Sequence, residues 1–393
     1  MGTIWDDDRS GTLLGTGDAD RLFGFGGHDV FWPGPGDDEA FGGSGDDTFH
    51  NSRGDDLMSG GEGHDLFRYG ARWGALDEEE FDGGPGHDAL VYEAPAGGAR
   101  FDARPDLYGY GFASGGLAFV DMERIVFAGG RGDDTAWLGG GHDEASGGGG
   151  DDRIDGRGGD DEMAGGWGRD RLRGGEGDDV LHGDAGGREG QADRLHGGTG
   201  ADDLFGDGGD DVLKGGAGSD GLWGGEGRDK LVGGDGADLL MGEAGSDKIK
   251  GGRGDDDLRG GAGADRMKGG DGRDDFEGGA GADVLSGGAG ADAFVYRWGS
   301  DSGRGPAADL ILDFEEGLDV IDLSALDADV TWGGGQAATF IGEDPFYGFA
   351  GELRWFETSA SRVVQLDRDG DARADLEIEL AGFGFLLAED FIL

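Results

Sequence analysis

Apolar residues in this chain recur with a period of nine. Between Gly147 and Val295 the repeating unit is Gly-Gly-x-Gly-x-Asp-x-apolar-x, with one aliphatic or aromatic residue at the eighth position between polar neighbours. Gly165-Gly166-Trp167-Gly168-Arg169-Asp170-Arg171-Leu172-Arg173 and Gly224-Gly225-Glu226-Gly227-Arg228-Asp229-Lys230-Leu231-Val232 are clean copies. A single apolar residue per unit predicts a short strand with one side chain pointing inward. The glycines predict tight turns at positive φ. A fixed period of this kind predicts an all-β stack of repeats.

The period divides the chain into four segments. Residues 1–91 hold a first, degenerate block, with copies such as Gly42-Gly43-Ser44-Gly45-Asp46-Asp47-Thr48-Phe49, interrupted after Arg68 and resumed at Gly83. Residues 92–128 leave the period; Leu117–Val120 and Ile125–Phe127 read as strands of a linker or small β cap. Residues 129–295 form the main block of roughly eighteen units. One unit carries an insertion, so that Gly183 to His196 reaches Asp193 and Leu195 late. Residues 296–393 are a non-repetitive tail with strand alternation, clearest in Leu376-Glu377-Ile378-Glu379-Leu380.

Composition changes the picture. The 393 residues include 96 Gly, 86 Asp or Glu and 32 Lys or Arg, for a formal net charge of −54. A thin apolar core under that self-repulsion would by itself be disordered, so the regular period points to order that depends on cations. Scarce proline and the lack of a three-residue glycine period exclude collagen. No cysteine is present, which excludes disulfides and thiolate metal sites. No apolar run is long enough to cross a membrane, the first residues lack the pattern of a classical signal peptide, and the acidity disfavours nucleic acid as a partner.

The cation ligands are the sixth-position aspartates. In the first block these are Asp20, Asp29, Asp38, Asp47, Asp56, Asp65 and Asp88. In the main block they are Asp134, Asp143, Asp152, Asp161, Asp170, Asp179, Asp193, Asp202, Asp211, Asp220, Asp229, Asp238, Asp247, Asp256, Asp265, Asp274, Asp283 and Asp292. Ca²⁺ takes ~6–8 oxygens from carboxylates and backbone carbonyls, which a glycine turn can aim inward without a Cβ in the way. Zn²⁺ is disfavoured because neither His nor Cys recurs at the ligand position. One apolar side chain per nine residues cannot by itself offset the entropy of ordering them, so the expectation is a chain disordered without calcium and cooperatively folded with it.

These repeats resemble those of the RTX family of Gram-negative secreted proteins. The tail resembles the segment that follows the β-roll in serralysin-type metalloproteases: Asp309-Leu310-Ile311-Leu312-Asp313-Phe314, continuing to Asp319-Val320-Ile321-Asp322-Leu323-Ser324, then Ala350-Gly351-Glu352-Leu353-Arg354, Asp367-Arg368-Asp369-Gly370-Asp371 and the final Asp390-Phe391-Ile392-Leu393. The resemblance covers about residues 129–393. It implies a parallel β-roll with two nonapeptides per coil, calcium rows between stacked turns, and a C-terminal signal, ending Glu389-Asp390-Phe391-Ile392-Leu393, for a type I secretion apparatus. That ending also reads as an ordinary closing strand. The zinc motif of serralysins, His-Glu-x-x-His, has no counterpart, because no His here is followed by Glu.

Other constellations follow the repeat grammar. His28, His64, His87 and His142 precede repeat aspartates, and His50, His182 and His196 end repeats, so none reads as catalytic. No Gly-x-Ser-x-Gly elbow occurs, and pairs such as Asp178-Asp179 are repeat positions five and six. Asp367, Asp369, Asp371 and Asp375 form a separate acidic loop, a further calcium candidate, although Ala372 and Ile378 stand where an EF-hand has Gly and Glu. With two units per coil, one face would show Arg171, Arg173, Arg194, His196, Lys214, Lys230, Lys248, Lys250, Arg266 and Lys268, which either compensate nearby carboxylates or bind an acidic polysaccharide or lipopolysaccharide. The other would show Phe205, Trp223, Leu239 and Met241 among acidic residues. The expected protein is therefore a non-catalytic, secreted calcium-binding roll with a structural or adhesive role outside the cell. The alternative is an enzyme or its accessory, either a protease relative or a repeat module like those attached to mannuronan epimerases.

Overall fold

The computed structural model describes residues 2–6, 9–70, 79–94, 97, 99–103, 111–113, 118–184, 190–331, 335–382 and 384–393. All regular elements among them are strands, apart from the 3₁₀ turns Gly305–Ala307 and Ala388–Asp390. Two compact units result, Met1–Gly186 with Asp193–Gly197, and Gly187–Ala192 with Gly198–Leu393.

In the first unit strands stack in parallel on partners 18 residues later. One sheet aligns Arg21, Glu39 and Leu57, and the other aligns Thr12, Val30, Thr48 and Leu66. Two nonapeptides therefore make one coil, one strand in each sheet, as the parallel β-roll requires. The eighth-position side chains all point between the sheets: Leu22, Ala40 and Met58 from one side, and Leu13, Phe31, Phe49, Phe67 and Leu90 from the other, are buried. Phe31, Phe49 and Phe67 stack with centroids 4.6 and 4.8 Å apart, which is the spacing of adjacent strands.

The described parts of residues 92–128 do more than link or cap. The strand Ala89–Glu93 pairs in parallel with Leu66–Gly70 on one side and with Arg124–Ala128 on the other. Arg124–Ala128 in turn pairs with Glu144–Gly149. The sheet of Arg21, Glu39 and Leu57 is widened at this level. Between Glu80–Asp82 and Thr135–Trp137 it receives Ala118–Val120, Gly111–Ala113 and Arg100–Asp102, joined to one another antiparallel. The first repeat block and the start of the main block thus share one ladder. Of the expected strand Leu117–Val120, Leu117 lies outside the described residues, as do residues 185–189 of the insertion. Asp193 and Leu195 nevertheless take their regular places: Asp170 N–H donates to Asp193 Oδ1 at 2.8 Å, and Leu195 is buried.

The second unit repeats this register, with Leu213, Leu231, Ile249, Met267 and Leu285 opposite Leu204, Leu222, Leu240, Leu258 and Phe276 in the core. The tail then continues both ladders. Asp309–Ile311 pairs with Val284–Ala289, and Val320–Asp322 pairs with Ala293–Val295. Glu352–Glu357, Ser361–Asp367 and Leu376–Ala381 form an antiparallel meander whose last strand pairs with Asp309–Ile311. Phe391–Ile392 pairs with Val320–Asp322 as a closing strand. The last coil is thereby covered, and the two sheets end on the short strands Thr339–Gly342 and Phe391–Ile392, short edges being poor templates for another chain.

Candidate metal centre

The three glycines of a full repeat answer two different demands. At the second and fourth positions φ is positive, as at Gly225 (102°) and Gly227 (144°). At the first position φ is ordinary, but there is no room. A Cβ on Gly224 would lie 2.6 Å from Asp229 Oδ2 and 2.9 Å from the carbonyl oxygen of Gly242 in the next coil. The same pair of oxygens faces the first glycine at Gly206, Gly242 and Gly260. The missing side chain thus leaves a gap bordered by a carboxylate oxygen and a carbonyl oxygen.

Every sixth-position aspartate assigned from the sequence is buried, 0–3% exposed, where its strand begins. The two oxygens of each carboxylate have separate tasks. Oδ1 accepts the N–H of the aspartate one coil earlier, at 2.6–3.0 Å: Asp134 donates to Asp152, Asp229 to Asp247, Asp247 to Asp265 and Asp256 to Asp274. This ladder holds successive coils in register. Oδ2 is buried without a hydrogen-bond partner at Asp38, Asp47, Asp65, Asp88, Asp152, Asp161, Asp170 and, in the second unit, at Asp220, Asp229, Asp238, Asp247, Asp256, Asp265, Asp274, Asp283 and Asp292.

Such a carboxylate is costly to keep charged. Burial pushes Asp161 up to about 8, with Asp143 and Asp179 adding to the effect, and pushes Asp247 and Asp256 up to about 7. Asp20 shows the converse. Its Oδ2 accepts both the hydroxyl and the N–H of Thr16, and its carboxyl is lowered. Asp56, Asp134 and Asp143 also use Oδ2 internally, toward Ser52, Gly130 and Gly139. The sequence treats all sixth-position aspartates alike; the structure separates these four from those whose second oxygen faces a glycine gap.

The donor set is all oxygen, a hard set that suits Ca²⁺. Charged oxygen atoms buried beside gaps with nothing to bind them fit a cation between stacked turns. The residues present therefore fit calcium.

Four acidic residues outside the sequence assignment continue the rows. Asp283 N–H donates to Asp309 Oδ1 and Asp292 N–H to Asp319 Oδ1, both at 3.0 Å. Asp88 N–H donates to Glu123 Oε2 at 2.8 Å, and Glu79 is buried at the corresponding place ahead of Phe81. Burial pushes Asp309 up to about 8. Each is followed two residues later by a buried apolar side chain, Ile311, Ile321, Ile125 or Phe81. That acid-x-apolar triad was the available signal, obscured because the glycine turns and the spacing of nine are absent there.

In the acidic loop Asp367, Asp369 and Asp375 bring carboxylate oxygens within 4.8 Å of one another, while Asp371 is outside that group. Asp367 is already engaged, accepting the N–H groups of Gly370 and Ala372.

In the second unit, the sheet carrying Lys230–Asp235 and Lys248–Arg253 displays Lys214, Lys230, Lys248, Lys250, Arg266 and Lys268 of the basic face anticipated, and the opposite sheet displays Phe205, Trp223 and Met241 in register. Phe205 and Trp223 stack at 4.6 Å, and the indole ring also folds over Gly221.

The family model Peptidase M10 serralysin C terminal matches residues 79–393. The chain belongs to that family. Models of the RTX calcium-binding nonapeptide repeat (4 copies) match residues 5–40 and 32–67, so this family member carries calcium-binding RTX repeats ahead of the matched region as well. No curated protein sequence matches. Among solved structures, the AlgE6R3 subunit from the Azotobacter vinelandii mannuronan C5-epimerase is 30% identical, with 39% of this chain and 82% of that one covered and a TM-score of 0.29.

Proposed function

We propose that this is a secreted, non-catalytic calcium-binding protein whose rolls fold when calcium occupies the carboxylate rows. The observation that carries this reading is the series of buried Oδ2 atoms facing glycine-made gaps. Calcium, when bound, supplies positive charge and an oxygen-seeking coordination sphere between stacked turns. The chain does the rest. Asp247, Asp256, Asp265 and their equivalents fix the register through Oδ1 and offer Oδ2, and first-position glycines leave the space and contribute carbonyl oxygens. Because the site exists only when coils are stacked, binding energy is folding energy.

This coupling suits export. In low cytosolic calcium the rows repel one another and the chain stays threadable; outside the cell it sets. Family membership supports passage through a type I secretion apparatus, and no helix among the described residues is long and apolar enough to cross a membrane. With no catalytic constellation among the described residues, the role we assign to the folded roll is structural or adhesive, at the cell surface or in the matrix. Far-UV circular dichroism during a calcium titration from excess EGTA tests the coupling. Sheet signal should appear cooperatively as calcium rises; a fully formed sheet in EGTA overturns it.

A further inference from the structure

The chain has five lysines, Lys214, Lys230, Lys248, Lys250 and Lys268, and all lie on the outer face of one sheet of the second unit. With Arg266 they form two in-register columns. Lys230, Lys248 and Arg266 occupy one, and Lys214, Val232, Lys250 and Lys268 the other. Compensation of nearby carboxylates would pair them. Yet all six are exposed and none makes an ion pair among the described residues, whereas Arg228, Arg253 and Arg259 pair with Asp210, Asp235 and Asp257. In a chain of net charge −54, six unpaired cations on one strip are a concentration of charge that the fold does not use.

Beside the lysine column runs a trough. Gly216, Gly234, Gly252, Gly270 and Gly288 align in register across consecutive strands, leaving a groove of about 760 Å³ bordered by Lys250 and Lys268. Its far rim carries Asp235, Arg253 and Asp271, so an anion in the groove is pushed toward the lysines. We propose that this strip binds a linear polyuronate lying along the stacking direction, across the strands. A thin polymer with one carboxylate per sugar matches a surface with a cation-bearing strand every ~4.8 Å. No outward side chain of these strands is aromatic, which removes the stacking platform that single-stranded nucleic acid uses. Calcium in the rows would neutralise the carboxylates under the strip, so the inference rests on the calcium-loaded fold proposed above.

The test uses the full chain in millimolar calcium with a mannuronate hexamer, too short to gel, followed by calorimetry. The hexamer should bind, weaken steeply with added salt, and lose at least about tenfold in affinity in the triple variant Lys248→Gln, Lys250→Gln, Lys268→Gln, a loss of about 1.4 kcal/mol. A neutral mannose hexamer should not bind. Circular dichroism of the same samples separates failure of this site from failure of calcium-dependent folding. Should the triple variant not fold, lysine acetylation of the wild-type chain reads the same site, because every reactive lysine is on the strip and should be protected by the hexamer. Unchanged affinity in a folded triple variant, equal binding of the neutral sugar, tighter binding of an oligonucleotide, or no protection from acetylation each overturns the proposal.

Discussion

Asp247 and Asp143 occupy the same place in the repeat and have different chemical surroundings. Asp247 Oδ2 is buried with no partner, whereas Asp143 Oδ2 accepts the N–H of Gly139. Asp247→Asn should therefore raise the calcium concentration at the folding midpoint by on the order of tenfold, equivalent to about 1.4 kcal/mol. Asp143→Asn should move it less than about twofold. Equal shifts in the two variants, measured by calcium-titrated circular dichroism, would contradict the division of the aspartates drawn above. The same carboxylates set the pH response. Their folded-state values are raised, to about 7 for Asp247 and about 8 for Asp161, above an unfolded value of 3.8. The folded state thus holds protons that the unfolded chain has released. This contribution to stability is complete below about pH 4 and is lost as pH rises through 6–8. Metal-free protein should gain sheet on acidification from pH 8 to 5. In calcium, the concentration at the folding midpoint should fall over the same acidification, since protons and calcium each bind the folded rows and not the unfolded chain.

At the scale of the turn, backbone conformation and cation space can be separated by mutation. Phe25, Arg157, Asp207 and Glu243 are non-glycine residues at the second repeat position, each with φ between 67° and 80°. A side chain there costs roughly 1–2 kcal/mol, part of which glycine returns through the entropy of the unfolded chain. Glu243→Gly should accordingly stabilise the calcium-loaded protein by about 0.5–1 kcal/mol, read as a higher thermal midpoint. Gly224→Ala places a methyl in the gap between Asp229 Oδ2 and the Gly242 carbonyl without changing charge. It should weaken calcium binding as a carboxylate substitution does, despite leaving every ligand in place. Much of the turn was legible in the period, because glycine and aspartate recur at fixed offsets. The continuation of the rows through Glu123, Asp309 and Asp319 was not, because hydrogen bonding across coils sets those places at sequence separations of 35, 26 and 27 instead of 18.

For the whole molecule the governing quantity is a net charge of −54 on a chain with few apolar residues to bury. Monovalent salt screens exposed charge but reaches buried rows poorly. Sodium chloride at matched ionic strength should therefore compact the metal-free chain without producing the sheet signal that millimolar calcium produces. Sheet formation in salt alone, seen by circular dichroism, would show that screening suffices and that the rows need no divalent ion.

The nonapeptide period by itself determined the fold class, the inward apolar column, the aspartate positions and the calcium chemistry. Each is a local demand repeated many times: a strand needs one inward side chain, a tight turn needs glycine, and a hard cation needs oxygen. Tertiary structure decided what depends on neighbours one coil away. It determined which aspartates have already spent their second oxygen on the chain itself. It threaded Arg124–Ala128 into the same ladder as the first repeats. It also left Lys230, Lys248, Lys250 and Lys268 side by side and unpaired. Stacking at 18 residues converts positions far apart in sequence into contacts, and hydrogen-bond partners and charge neighbours are properties of contacts.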